Sequence, residues 1–271
     1  MKLKRLISNI ILGATIVTLS LGVAGCSKEN TSESTLNKET LIVGMDDAFA
    51  PMGFKDENGE ITGFDVELAK AICEKLNKKV VFQPIDWTMK ETELKSGNID
   101  LIWNGYTINE ERKKKVDFSV PYLKNKQVIV TLSNSDIKVK KDLEGKKVGA
   151  QNESSAISAM EKEEDLYNSF NSGSAITFED NNQALMDLEA GRIDAVVADE
   201  ILVRYYIRLK GEDKFNILDD NFGEEEYGVG IRKGDTEMVD AFNKAYKELQ
   251  DDGTLAQIST KWFDADITIK E

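Results

Sequence analysis

The sequence predicts an α/β protein built of two similar lobes joined by a pair of crossing segments. Three observations carry this. Short apolar runs of strand length alternate with amphipathic helical stretches, the pattern of βαβ units around a mostly parallel sheet. One helix–glycine–strand junction occurs twice, as Leu94-Lys-Ser-Gly97-Asn-Ile99-Asp100-Leu-Ile and as Leu188-Glu-Ala-Gly191-Arg-Ile193-Asp194-Ala-Val. The chain beyond Asn221 holds too little for a third lobe, so it is expected to return and complete the first.

In chain order, a leader comes first and is set aside before the fold is read. Lys2, Lys4 and Arg5 precede a mostly apolar stretch, Leu6 to Val23, interrupted by Ser8, Asn9, Thr15, Thr18 and Ser20. A spanning helix needs ~20 mostly apolar residues, which this stretch does not supply. Val23-Ala24-Gly25-Cys26 resembles the lipobox of bacterial lipoproteins. That resemblance implies cleavage before Cys26, a lipid on its sulfur, and a mature chain held on a membrane without crossing it. Residues 1–25 then form the signal peptide. Residues 26–39, polar and nearly without apolar side chains, read as a flexible tether.

The folded part begins with the strand Leu41 to Gly44. Thr62 and Asp65 read as a capping box. They precede a helix marked by Val66, Ala69, Ile72, Cys73 and Leu76 at helical spacing. Lys79 to Phe82 is the next strand, Met89 to Lys95 a helix closed by Gly97, and Ile99 to Trp103 a strand again. Val148-Gly149 repeats the opening Val43-Gly44. Residues 40–124 and 222–271 are assigned to lobe 1 and 125–221 to lobe 2. The crossings, near Val120 to Val130 and Phe222 to Ile231, would form a hinge beside a ligand cleft.

The chain carries a formal net charge of −14 and no histidine. An acidic surface argues against nucleic acid and anionic lipid as partners. Lack of histidine removes the commonest general base and metal ligand. Of two cysteines, Cys26 belongs to the lipobox; Cys73 lies in an amphipathic helix pattern and reads as a core residue. An acylated Cys26 leaves no intramolecular disulfide.

Ligands of open parallel sheets bind beyond the carboxyl ends of the strands. Here those positions are Asp46, Asp47 and Phe49; Asn104 to Thr107; Gln151, Glu153, Ser154 and Ser155; and Asp199. Thr107-Ile-Asn-Glu110 reads as a capping box opening a helix whose N-terminus favours an anion. Arg112 in its first turns can fork onto a carboxylate. Gly105 lets a backbone amide come close. Asp199 supplies the opposite charge from the other lobe. Together they make a zwitterion clamp: carboxylate to Arg112, Thr107 and the Gly105 amide, ammonium to Asp199.

The stretches GMDDAFAPMGFKDENGEITGFDVELAKAI, SGNIDLIWNGYTINEERKKKVDFSVPY, GKKVGAQNESS, AGRIDAVVADE and YGVGIRKGD closely resemble the polar amino-acid-binding proteins of ABC importers, solute-binding protein family 3. The resemblance runs from Leu41 to Phe263. It implies a two-lobed, type II periplasmic-binding-protein-like fold that closes on an L-amino acid, needs no cofactor and delivers its ligand to an ABC permease. It also implies an extracellular location, here through lipid on Cys26, and a monomer. Carried over by position, Ser155 joins the carboxylate group and Asn104 helps Asp199 with the ammonium. Asp46, Phe49 and Trp103 line the side-chain pocket with Glu153 at its rim. Several relatives have paired serines where this chain has Asn104-Gly105. The acidic and aromatic lining suits arginine or lysine, or alternatively cystine, cysteine or glutamine. The rival readings are a ligand sensor acting through a membrane partner and a dehydratase-like enzyme on the same fold.

Overall fold

The computed structural model describes residues 33–270; the signal peptide, the lipobox with Cys26, and tether residues 26–32 lie outside them. Two five-stranded sheets form the centres of the two lobes. In lobe 1 the strand Thr40–Met45 lies between Lys79–Pro84 and Leu101–Ile102, parallel to both. The late strand Gly230–Arg232 then pairs antiparallel with Leu101–Ile102 and Val116–Phe118, so the chain does return to lobe 1. In lobe 2, Val148–Gln151 is parallel to Ile176–Phe178 and Ala195–Asp199. The repeated junction is real: Gly97 and Gly191 both take left-handed φ, +79° and +69°, each ending a helix before a strand.

Two long antiparallel strands, Leu123–Leu132 and Phe215–Tyr227, carry the chain out of lobe 1 and back. The first also pairs with Ala195–Asp199, setting Asp199 opposite Gln127. They are the two hinge strands, and Asp199, Gln127 and the end of Phe215–Tyr227 meet beside the cleft.

Apolar faces bury the helices onto these sheets. The helix Thr236–Asp251 buries Met238, Phe242, Ala245, Tyr246 and Leu249, one face at helical spacing, and each large side chain contributes about 1.5–3 kcal/mol. Cys73 is a buried free thiol of the helix Phe64–Lys75, pushed up to about 12 by burial. Among the described residues no helix is long and apolar enough to cross a membrane.

Two expectations from sequence are corrected here. The part of the tether that is described, residues 33–39, docks on lobe 1. Asp235, which caps the helix Thr236–Asp251, also accepts from Thr35 N (2.8 Å) and Ser34 Oγ (2.6 Å), and Lys38 pairs with Asp100 (2.6 Å). Polar composition argued for solvent, but here specific partners wait for those polar groups. The Thr62–Asp65 capping box is absent. The helix starts at Gly63 with no side-chain cap, because Asp65 is buried and accepts from Gly105 N and Tyr122 OH instead.

Candidate functional site

The strand ends converge on a small cavity between the lobes, lined by Asp46, Phe49, Trp87, Asn104, Gly105, Arg112, Gln151, Ser154, Ser155 and Asp199. Its polar residues come from both lobes, and hydrogen bonds cross between them. Gln151 Nε2 donates to Asp46 Oδ2 (2.7 Å), Thr107 Oγ1 to Ser155 Oγ (3.0 Å), and Tyr206 OH to the Ala48 carbonyl (3.2 Å).

Arg112 is 6 % exposed. Its helix, Glu110–Lys115, is capped by Asn109, which accepts from Arg112 N at 2.8 Å. Thr107 is therefore not the cap, and its hydroxyl is free to face lobe 2. The guanidinium lies over the Tyr106 ring at 4.4 Å, and donates to the carbonyls of Thr107 (3.0 Å) and Glu153 (3.4 Å). Among the described residues it pairs with no carboxylate. A buried cation held only by neutral groups attracts an anion. Ser154 Oγ, also buried, has no hydrogen-bond partner among the described residues and lines the same space.

On the other wall, Asp199 is 4 % exposed. It begins the helix Glu200–Lys210 without a side-chain cap bond. Its Oδ1 accepts from Tyr227 OH (2.6 Å), Asn125 Nδ2 (2.7 Å) and Gln127 Nε2 (3.0 Å). Burial first, and then the charge of Glu225, hold its carboxyl well above the usual carboxylate range.

The cavity is also lined by Asp46, Gln151, Phe49 and Trp87. Burial pushes the Asp46 carboxyl up to about 6, with the charges of Asp180 and Asp47 adding to it, against hydrogen bonds from Ala48 N and Gln151. Gln151 is itself held by Asn181 Nδ2 at 3.0 Å. Asn104 braces Asp46: its Oδ1 accepts from Asp46 N (3.1 Å) and its Nδ2 donates to the Gly53 carbonyl (3.4 Å).

Seven of the ten ligand positions read from sequence line the cavity; Thr107, Trp103 and Glu153 do not. Thr107 reaches it through its bond to Ser155. Trp103 is a core residue, 1 % exposed, packed on Phe242 at 5.1 Å between ring centroids and on Tyr122. The residue that follows it, Asn104, lines the cavity instead. Glu153 has an exposed side chain. Its contribution is the backbone: a φ of +55° accompanies a carbonyl that accepts from Lys90 Nζ and Arg112. The Gly105 amide is also not free, because it donates to Asp65 Oδ2 at 2.8 Å. Glycine is needed there nonetheless. Its φ is +58°, and a Cβ would meet Phe49 Cε1 at 2.7 Å.

Three residues of the site were missed or left unassigned. Trp87 sits on a short turn after the strand Lys79–Pro84, where Asp86 caps it by accepting from Thr88 N; the strand-end rule applied to that strand would have found it. Gln151 and Ser154 stood at a strand end without a role. Lys90 is 1 % exposed and donates to the carbonyls of Trp87 (3.0 Å) and Glu153 (3.2 Å). Burial first, and then the Arg112 charge, push it down to about 8.

A two-lobed cleft with a buried cation on one wall and a buried acid on the other is matched by known proteins. The family model of the bacterial extracellular solute-binding proteins, family 3, covers residues 41–265. The L-cystine-binding protein TcyJ of Escherichia coli K12 is 36 % identical over 99 % of this chain and 100 % of its own. The arginine-binding extracellular protein ArtP of Bacillus subtilis is 34 % identical over 94 % of this chain and 96 % of its own. A solved ABC uptake transporter substrate-binding protein from Streptococcus pneumoniae with bound histidine is 40 % identical, with a TM-score of 0.85 over 90 % of this chain and 100 % of that one. These relatives are binding proteins, and the chain belongs to family 3 of the bacterial extracellular solute-binding proteins.

Proposed function

We propose that this chain captures a free L-amino acid outside the cell and delivers it to the permease of an ABC importer. The observation that carries the reading is Arg112, a buried guanidinium without a carboxylate partner among the described residues, across the cavity from buried Asp199. A zwitterion satisfies both: its carboxylate completes Arg112, with the hydroxyls of Ser154 and Ser155 beside it, and its ammonium meets Asp199. Ligand groups on both walls make binding and lobe closure one event.

The side chain lies towards Asp46, Gln151, Phe49 and Trp87. A carboxyl and two aromatic rings suit a cationic or hydrogen-bond-donating side chain, with cation–π contact contributing about 0.5–2 kcal/mol. Arginine or lysine fits this, as do cystine, cysteine and glutamine; relatives named for cystine, arginine and histidine support the class. The protein binds without transforming its ligand. It acts as a monomer, held at the outer face of the cell membrane by lipid on Cys26.

A thermal-shift screen of the mature chain, refolded to strip carried ligand, against single L-amino acids and L-cystine tests this. Stabilisation follows RT ln(1 + [L]/Kd), so one or a few amino acids are expected to raise the melting temperature clearly. A flat response to all of them refutes capture, and a chemically altered amino acid recovered afterwards refutes binding without transformation.

A further inference from the structure

Gln151 lines the cavity, and the strand-end pattern gives it no part there. It closes the lobe 2 strand Val148–Gln151 and is 2 % exposed. Pairing with Ile176–Phe178 sets it opposite Phe178. The carbonyl of the next residue, Glu179, accepts from Gln151 Nε2 at 3.1 Å. The same nitrogen donates across the cleft to Asp46 Oδ2 at 2.7 Å. Gln151 Oε1 accepts from Nδ2 of Asn181, the first residue of the helix Asn181–Glu189, at 3.0 Å.

These bonds fix which way the amide points. A backbone carbonyl only accepts, and so does an ionised carboxylate. Turned over, the amide would set its oxygen against both. Gln151 therefore presents N–H to lobe 1. Asp46 is held as firmly. Its Oδ1 accepts from Ala48 N (2.9 Å), and its own N–H donates to Asn104 Oδ1 (3.1 Å). Tyr206 OH, on the Ala48 carbonyl at 3.2 Å, ties the same stretch to lobe 2. Lobe 1 thus brings an acceptor to the cavity and lobe 2 a donor, and the two are bonded across the cleft.

We infer that Gln151 sets the side-chain specificity of the site: with Asp46 it forms a donor–acceptor pair that selects a polar side chain without net charge, able both to donate and to accept, over the donor-only side chains of arginine and lysine. The inference rests on the amino-acid-binding reading above. An amide, an imidazole or the second amino-acid head of cystine joins the pair by donating to Asp46 and accepting from Gln151. A guanidinium or ammonium offers no acceptor. It draws Asp46 away from Gln151 and leaves a buried N–H unpaired, a loss of about tenfold or more in affinity.

The charges nearby point the same way. Arg112 in the cavity and Lys90, bonded to the Trp87 carbonyl, are already two buried cations, 6 % and 1 % exposed. The other acids acting on Asp46 have partners of their own. Asp47 pairs with Lys55, and Asp180 accepts from Gln183 N at 2.9 Å.

Titration calorimetry of the refolded chain with each proteinogenic L-amino acid and L-cystine, by displacement where direct heats are small, ranks the ligands. At about pH 8 histidine is neutral, and Asp46, pushed up only to about 6, is ionised. Wild type is expected to bind glutamine, histidine or cystine more tightly than arginine or lysine. Gln151→Met keeps the bulk and removes the donor. It is expected to shift the ratio of affinities about tenfold towards arginine and lysine. Loss of the bond to Asp46 weakens closure for every ligand alike and cancels in that ratio. Gln151→Leu, a second apolar replacement, is expected to shift the ratio the same way and serves if the methionine variant does not fold. A tightest wild-type ligand whose side chain cannot both donate and accept, or an unchanged ratio in the variants, overturns the inference and leaves capture intact. Absence of binding by wild type for every amino acid overturns capture itself, and the pair's role with it.

Discussion

The two walls of the cavity are built on opposite deficits. The lobe 1 wall holds Arg112 with neutral partners only, the Tyr106 face and the carbonyls of Thr107 and Glu153. The hinge wall holds Asp199 among three neutral donors, two of which, Asn125 and Gln127, also donate to Glu225. One wall lacks an anion and the other lacks a cation. A zwitterion corrects both at once, which is why neither wall alone makes a site.

The largest effects are expected from removing either deficit. Arg112→Ala and Asp199→Ala each take away one half of a desolvated charge pair, and each should weaken the amino acid found by the screen by about 100-fold or more. Titration calorimetry reads this directly. If both variants keep full affinity, the two walls do not act as a clamp.

The two buried tryptophans sharpen the comparison between cavity and core. Trp103→Ala empties a packed site against Phe242 and should cost about 3–5 kcal/mol of stability in denaturant melts. Trp87→Ala opens the cavity instead. It should cost less stability and weaken a cationic amino acid about tenfold. The reverse ranking would return Trp103 to the pocket.

The smallest effect concerns Lys90, the second buried cation of the lobe 1 wall. Its folded value is depressed to about 8, so the unfolded chain binds more protons above that point. Stability should therefore gain from this group as pH rises from about 8 towards the ordinary lysine range, by the linkage rule. Lys90→Met should remove that gain and alter neutral-pH stability by no more than about 1 kcal/mol, since an apolar chain of similar volume replaces a desolvated ammonium. Melts across alkaline pH test it; an unchanged pH profile in the variant would show that Lys90 is not the group titrating.

Much of this was legible before the structure. The alternation of strands and helices, the doubled helix–glycine–strand junction and the strand-end rule led to the two lobes and to Arg112 and Asp199, because periodicity and chain order are local properties. The failures were equally local in origin. Trp103 and Asn104 are adjacent at a strand end, and which one faces the cleft depends on register, where a slip of one residue reverses every side chain. Gly105 could offer an amide, but only the packed position of Asp65, forty residues earlier, decides where that amide donates. Residues 33–39 looked solvated because the carboxylates that hold part of that segment, Asp235 and Asp100, lie far along the chain.

The sequence by itself determined the two-lobed plan, the family and the two charges that face each other, since these follow from hydrophobic period and from residues at strand ends. Only the tertiary structure decided which neighbours serve them. It put Trp87 in place of Trp103 and used the backbone of Glu153 instead of its side chain. The physical reason is the same in each case. A side chain's role is set by which face of its element it leaves, and that is settled by register, bulge and packing against residues distant in the chain.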